Sequence, residues 1–231
     1  MRPDRGRNVT DVQVIAPVAI RVLLTELVEG IGRETGLDVG LTFDLNPAVA
    51  RRITAGEAFD LAITNPWHVA ELVAAGLARA DSETAFWTIP LAIAAREMRE
   101  AAAPEDILRQ ATSVAYTAEG TSGQTFLRVA EKLGVLNAIR PRLMPMGAGE
   151  PVRAVAAGEA EIAIAPLTTI LAAPGVVGLA EFDRSLGASI DLSMVLCGDA
   201  PALGAEALLA ALADPALDAA LAAGGMARGP R

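Results

Sequence analysis

The segment Gly120-Thr121-Ser122-Gly123 combines the residue types best suited to binding an anion. It precedes residues 126–133, which have helical periodicity and end before Gly134. The glycines would let the backbone approach a ligand, and the two hydroxyls and the free N–H groups of a helix N-terminus could donate hydrogen bonds. The same residue types also cap helices. The segment therefore predicts either an anion-binding loop or an ordinary N-cap.

Polar side chains also precede two other predicted helices. Asn46 comes before Pro47, and Thr64 and Asn65 lie between a predicted strand and Pro66. Open α/β sheets bind ligands at the carboxyl ends of their strands, which makes Asn46, Thr64 and Asn65 candidate ligand contacts. The alternative is that the asparagines only cap helices opened by proline.

Arg96 and Thr168 complete the polar candidates. Arg96 follows the apolar residues 85–95, and a guanidinium can hold a carboxylate through two parallel hydrogen bonds. If Arg96 faces a cleft, the ligand is an organic acid; otherwise it is a solvated surface residue. Thr168, beside Thr169, follows a predicted strand and would supply a hydroxyl to the second wall of the cleft or cap a helix.

The sequence lacks the usual catalytic motifs. It contains no G-x-S-x-G elbow, no P-loop and no dinucleotide fingerprint, and it has one His and one Cys. A zinc site of ordinary composition and an intrachain disulfide are excluded. We therefore predict no catalytic set, no metal and no cofactor. One acid–base group beside an anion clamp would still suffice for an isomerase, so an enzyme is the alternative to a binding protein.

Composition excludes several classes of protein. The 28 acidic and 19 basic residues give a net charge of -9, which argues against a nucleic-acid surface. With 52% hydrophobic but only 3% aromatic residues, the chain should form a packed core rather than a disordered state. We expect a small anionic ligand as the partner.

Targeting and membrane signals are weak. The first ten residues are followed by no apolar h-region, so the chain as written is expected to stay in the cytoplasm. The uncharged residues 162–180 are long enough to span a bilayer, but they contain Pro166, Pro174, Gly175 and Gly178. A strand, a turn and a second strand fit this segment better than a membrane span.

Strand and helix patterns alternate along both halves of the chain. This alternation predicts an α/β fold with parallel sheets covered by helices. Residues 85–95, with Pro90 near the middle, and residues 189–197 are predicted to cross between two lobes. We predict two Rossmann-like lobes joined by two crossing strands: 11–87 for the first part of lobe 1, 88–190 for lobe 2 and 191–231 for the return to lobe 1 with C-terminal helices. The alternative is one doubly wound sheet.

Three stretches together resemble a known family. Residues 43–63 (FDLNPAVARRITAGEAFDLAI) contain an I-x-x-G-x-x-x-D turn, residues 113–135 (SVAYTAEGTSGQTFLRVAEKLGV) contain S-G before a helix, and residues 152–167 (VRAVAAGEAEIAIAPL) contain a G-E-A-E turn. In order and spacing they resemble the type 2 periplasmic binding proteins, in the ModA-like branch of molybdate-binding proteins of ABC importers.

The resemblance implies a monomeric, periplasmic solute-binding protein that closes two lobes on a small anion and serves an ABC transporter permease. It places Val18 and Asn46 at ligand-contacting positions. The family's hydroxyl residues are missing there, since the loops read Ala16-Pro17-Val18-Ala19 and Leu45-Asn46-Pro47. Together with Arg96, this departure favours an organic carboxylate over molybdate. The branch also includes relatives of an aconitate isomerase, which gives the isomerase alternative its substrate class, an unsaturated di- or tricarboxylate.

Overall fold

Strands and helices alternate in the computed structural model, which describes residues 11–199 and 201–229 except for the side chains of 85 and 86. The strands are β1 (Asp11–Pro17), β2 (Asp38–Asp44), β3 (Leu61–Thr64), β4 (Thr84–Ala95), β5 (Val114–Thr117), β6 (Leu143–Met146), β7 (Ile162–Pro166), β8 (Val177–Glu181), β9 (Ser189–Leu196) and β10 (Ala227–Arg228). The helices are α1 (Arg21–Thr35), α2 (Asn46–Thr54), α3 (Pro66–Ala74), α4 (Pro104–Gln110), α5 (Thr121–Lys132), α6 (Leu136–Ile139), α7 (Glu150–Ala157), α8 (Leu167–Leu171), α9 (Leu203–Ala213) and α10 (Asp218–Ala223). The predicted α/β class is confirmed.

The strands form one curled sheet in the order β2-β1-β3-β9-β4-β7-β5-β6, with β8 and β10 also paired to β4. At one end β1 is parallel to β2 and β3, and at the other end β5 is parallel to β6 and β7. In the middle β4 and β9 run antiparallel to all their neighbours. The predicted parallel pairing is therefore found at both ends of the sheet, whereas the two strands that connect the halves run antiparallel to the strands they join.

Strand β4 changes partners at Pro90. Up to Pro90 it pairs with β9 and β10, and from Leu91 onward it pairs with β7 and β8. Proline has no N–H to give to a ladder, so it suits the point where one set of partners ends. We call β1–β3, β9, β10 and the first part of β4 lobe 1, and β5–β8 with the rest of β4 lobe 2. The first predicted crossing is confirmed.

The return to lobe 1 lies earlier than residues 189–197. Leu91 donates its N–H to the carbonyl of Ala188 at 2.9 Å and accepts a hydrogen bond from the N–H of Phe182 at 3.1 Å. Residues 182–188 therefore lie beside Leu91, where β4 passes from lobe 1 into lobe 2. Strand β9, which follows them, pairs with β3 and β4 and belongs to lobe 1. The predicted bounds of 11–87, 88–190 and 191–231 stay predictions, whereas the names lobe 1 and lobe 2 follow the strand pairing.

The core follows from strands that are covered on both faces. Every residue of β3 and β7 is buried, as expected for strands packed between layers of helices. One apolar cluster runs through both lobes, and smaller clusters lie beneath α2 and α3 and beneath α7. In the part of the chain that the structure describes, no helix is both long and apolar enough to cross a membrane. Residues 162–180 form β7, α8 and β8, so a short helix replaces the predicted turn.

Candidate functional site

A cavity of about 50 Å³ lies between the two lobes. Lobe 1 contributes Pro17, Val18, Ala19, Leu45, Asn46, Ile89, Ile190 and Leu192, and lobe 2 contributes Thr117, Gly120, Thr121, Ser122, Ala148, Gly149, Pro151, Val152, Ala165, Pro166 and Thr169. None of these lining residues carries a charge. The polar groups that face a ligand are therefore hydroxyls, one side-chain amide and backbone amides.

Three helices begin at this cavity without a side-chain cap. Helix α2 begins at Asn46, α5 at Thr121 and α7 just after Gly149, and no side chain of the described residues accepts a hydrogen bond from the first turn of any of them. The first N–H groups of a helix have no partner within the helix, and its dipole places partial positive charge there. The capping alternatives for Asn46, Thr121 and Ser122 are therefore wrong. The backbone donors at the cavity come mainly from α5, because Pro47 and Pro151 have no N–H and the N–H groups of Ala48 and Glu150 donate to the carbonyls of Leu45 and Gly147.

Asn46 has a fixed side-chain orientation. Its Oδ1 accepts hydrogen bonds from Thr64 Oγ1 at 2.7 Å and from the N–H of Asn65 at 3.2 Å. A backbone N–H can only donate, so the oxygen of the amide must face Asn65. The Nδ2 group makes no hydrogen bond with any other residue in the described part of the chain. It is a donor available to a ligand, and the fully buried Thr64 acts behind it without lining the cavity.

Ser122 lies in the first turn of α5, which starts five residues before the predicted periodicity. Its hydroxyl has no hydrogen-bond partner among the described residues, and the residue lines the cavity. A Cβ at Gly123 would lie 1.9 Å from the carbonyl oxygen of Thr117, so this glycine lets α5 pack onto the end of β5. The glycine thus serves packing, which corrects the expectation that it admits a ligand, whereas Ser122 is free to donate.

Thr121 and Asn65 meet across the two lobes. Thr121 Oγ1 donates to Asn65 Oδ1 at 2.9 Å, and Asn65 Nδ2 donates to the carbonyl of Asp191 at 2.8 Å. Thr121 lines the cavity, whereas Asn65 is fully buried outside it. Asn65 makes no capping bond to α3, so its polar groups serve the contact between lobes.

Thr168 makes a second contact between lobes. Its hydroxyl donates to the carbonyl of Ala19 at 2.6 Å, and it is buried beside the cavity without lining it. Its neighbour Thr169 lines the cavity and has no hydrogen-bond partner within the described residues. Neither threonine caps α8, since the N-cap is Pro166.

The structure does not bring Arg96 to the cavity. Strand β4 continues past Pro90 through lobe 2, and at about 3.3 Å per residue Arg96 emerges roughly 20 Å beyond the crossing. There it is exposed and lines a separate surface pocket with Arg99, Thr112 and Glu161. The hydrogen bond between His68 Nδ1 and Glu71, at 2.8 Å, also lies outside the cavity.

Glu161 is the most strongly bound carboxylate of that surface pocket. Its oxygens accept hydrogen bonds of 2.6 Å each from Arg99, from the N–H of Thr112 and from the Thr112 hydroxyl. Burial acts to raise the pKa of Glu161, but the bonds from Thr112 and Arg99 outweigh it and hold this pKa below the ordinary 4.5. The arrangement ties the end of β4 to the start of β7 and points to a structural role.

Two cavity-lining parts of the site were not predicted from the sequence. Thr117 lines the cavity at the carboxyl end of β5, where the rule applied to Thr64 would have found it. The N-terminus of α7 contributes backbone at Gly149, where φ is 73° and glycine is favoured. The described residues include no group of three or more His, Cys, Asp or Glu side chains placed to hold a metal ion.

Comparison with known proteins identifies relatives of this fold. Residues 12–227 match the family model described as bacterial extracellular solute-binding protein. A search of curated proteins finds no match.

Solved structures give the same picture of the fold. The periplasmic molybdate-binding protein of Azotobacter vinelandii superposes with a TM-score of 0.83 at 17% identity, covering 95% of this chain and 100% of that one. The sulfate-binding protein SubI of Mycobacterium tuberculosis gives 0.75 at 15% identity, with 94% and 86% covered. PEB3 of Campylobacter jejuni with L-phospholactate bound gives 0.73 at 11% identity, with 95% and 100% covered. The resemblance to type 2 periplasmic binding proteins is confirmed for the fold.

Proposed function

Because this chain belongs to the bacterial extracellular solute-binding proteins, we propose that its cavity binds a small tetrahedral oxyanion, such as molybdate or sulfate. The observation that carries the proposal is the lining of the cavity. Neutral donors from both lobes converge there, and no ionisable side chain is among the lining residues. The protein binds its solute and performs no chemistry on it.

Neutral donors are well suited to a dianion that is fully enclosed. The first turn of α5 offers N–H groups aligned with its helix dipole, and Ser122 Oγ and Asn46 Nδ2 add side-chain donors. Hydrogen bonds to a charged oxygen are shorter and stronger than neutral ones. Asn46 thus offers an amide donor at a position where the resemblance to the molybdate-binding proteins implies a hydroxyl.

The preference for an organic carboxylate has lost its support. It depended on Arg96 together with the missing family hydroxyls. Arg96 lies at the far end of β4, Asn46 supplies a neutral donor where one hydroxyl is missing, and no guanidinium or ammonium group is among the residues that line the cavity.

The residues that line the cavity also give no support to the isomerase alternative. Moving a proton next to a carboxylate requires an acid or base within hydrogen-bond reach of the substrate. Every residue lining the cavity is non-titratable, and His68 is paired with Glu71 elsewhere.

Structural relatives support the class of ligand. The similar proteins described above are named for molybdate and sulfate, and one holds a phosphorylated acid. In this proposal the protein acts as a monomer outside the cytoplasm and presents its closed, liganded form to the permease of an ABC transporter.

Calorimetric titration of the purified, dialysed protein tests the proposal. Molybdate, tungstate, sulfate, phosphate and trans-aconitate are compared as ligands. We expect one of the fully ionised oxyanions to bind one-to-one and to stabilise the fold by about 2.7 kcal/mol at 100 times its Kd. Stoichiometric binding of aconitate with no binding of any oxyanion, or interconversion of its isomers, would overturn the proposal.

A further inference from the structure

The side chains that line the cavity differ in polarity between the two lobes. Those from lobe 1 are apolar except for Asn46, whereas the lining hydroxyls of the described residues all belong to lobe 2. We propose that the solute is a tetrahedral oxyanion in which a small alkyl group replaces one oxygen, such as an alkylphosphonate, and that Val18 selects for the alkyl group. This ligand class rests on the proposed function, which it narrows.

The polar side of the cavity belongs mainly to lobe 2. Its lining hydroxyls are those of Thr117, Thr121, Ser122 and Thr169, and the first N–H groups of α5 lie beside Ser122. Thr121 gives its single proton to Asn65 Oδ1 at 2.9 Å, whereas the other three hydroxyls have no hydrogen-bond partner among the described residues. These free donors suit the charged oxygens of an anion.

The apolar side of the cavity is built on the strand pair β4 and β9. Ile89 lies directly opposite Ile190 in this antiparallel ladder, so the two side chains point to the same face of the sheet. Leu192 is two residues further along β9 and shares that face. All three are buried and line the cavity. A charged oxygen placed against them would lose its water without gaining a hydrogen bond, which is costly.

Val18 and Leu45 add apolar side chains at the carboxyl ends of two parallel strands. Val18 directly follows β1 and Leu45 directly follows β2, and both line the cavity. Such positions contact ligands in open α/β sheets, so their side chains bear on which solute the cavity accepts. Val18 is only partly buried, so the packing of the core does not by itself require an apolar residue there. Val18 is therefore the informative residue to change.

An alkylphosphonate matches this division of polarity. Its phosphorus carries three oxygens and one carbon in a tetrahedral arrangement. The oxygens can accept hydrogen bonds from the lobe 2 hydroxyls, the first N–H groups of α5 and Asn46 Nδ2, while the alkyl group contacts the apolar side chains of lobe 1. Burial of one methyl group against apolar side chains strengthens binding by roughly fourfold. A bare oxyanion would gain nothing from these side chains.

Calorimetric titration in alkaline buffer tests this ligand class by comparing methylphosphonate with hydrogen phosphate. Both ions are dianions under these conditions, and they differ only by a methyl group in place of a hydroxyl. Sulfate and molybdate are titrated alongside them. The variant is Val18→Thr, which keeps the shape of valine and adds a hydroxyl at the cavity. Val22→Thr is the matched control, because Val22 is 48% exposed on α1 and does not line the cavity.

We expect wild type and Val22→Thr to bind methylphosphonate roughly fourfold or more tightly than hydrogen phosphate. Val18→Thr should lower this ratio severalfold, and a general loss of affinity does not affect the ratio, because both ions are measured on the same protein. Hydrogen phosphate that binds wild type as tightly as methylphosphonate, or a ratio that Val18→Thr leaves unchanged, would overturn the assignment of this ligand class. Binding of sulfate or molybdate would in that case still support the proposed function. If none of these oxyanions binds, the proposed function fails as well.

Discussion

The Thr64 hydroxyl fixes the orientation of the Asn46 side-chain amide. Asn46 lines the cavity, whereas Thr64 does not. Thr64 Oγ1 donates to Asn46 Oδ1 at 2.7 Å, and the N–H of Asn65 donates to the same oxygen. With the oxygen held from behind, the amide offers its NH₂ group to a ligand. The opposite orientation would present an acceptor to an anion and would leave the N–H of Asn65 without this partner.

Replacing Thr64 with valine should weaken oxyanion binding although the residue lies outside the cavity. The change removes one of two bonds that orient Asn46, so we expect a roughly two- to tenfold higher Kd by calorimetry. Thr35→Val is the control, because its hydroxyl donates to the Ile31 carbonyl at the end of α1. Equal Kd values for Thr64→Val and the control would show that Asn46 needs no such support.

Ser122→Ala should reduce affinity without reducing stability. A lost hydrogen bond to a charged ligand costs about 1.5 to 3 kcal/mol, which is roughly ten- to a hundredfold in Kd. The hydroxyl caps no helix, so the melting temperature without ligand should stay the same. Arg96→Ala is the matched control and should bind as wild type does. If Arg96→Ala loses affinity and Ser122→Ala keeps it, the solute binds at the surface pocket.

The affinity for sulfate should not depend on pH between about pH 6 and pH 9. Sulfate stays a dianion over this range, and no titratable side chain lines the cavity. The measurement is a series of titrations in matched buffers. A sigmoidal dependence on pH would indicate an ionisable ligand contact.

Glu161→Gln should destabilise the protein at neutral pH by about 1 to 2 kcal/mol, because three hydrogen bonds to a carboxylate are weakened. The pKa of Glu161 is lowered on folding, so its contribution to stability is present above 4.5 and is lost as the pH falls through the folded-state value. Denaturant unfolding at about pH 7 and about pH 3 should show a gap between wild type and variant that closes in acid. Glu159→Gln, in the same pocket, should show no gap at either pH.

Local sequence signals predicted much of the fold. Pro104 opens α4, the left-handed Gly158 ends α7, and Pro90 marks the crossing in β4. The direction of β4 and β9 was not predictable from periodicity, since a strand pattern is the same in either direction. The short helix α8 was not predicted, because its five residues are too few to show helical periodicity.

The site was harder to predict because its contacts are distant in sequence. Asn65 and Thr121 are 56 residues apart, and Thr168 and Ala19 are 149 apart, so no local pattern shows that they serve the contact between lobes. The prediction that Arg96 contacts the ligand was wrong for a geometric reason. The sequence shows how long β4 is, but it does not show which point along β4 lies at the cleft. Val18, Asn46, Thr121 and Ser122 do line the cavity, each near the carboxyl end of a strand.

Anomalous X-ray diffraction from crystals grown with tungstate is the most direct test of the central claim. Tungsten gives a strong anomalous peak, so its position needs no assumption about the ligand. We predict a single strong peak in the cavity between the lobes, with oxyanion oxygens within hydrogen-bond distance of Ser122 Oγ, Asn46 Nδ2 and the first N–H groups of α5. A peak beside Arg96 and Arg99 with none in the cavity would contradict the claim.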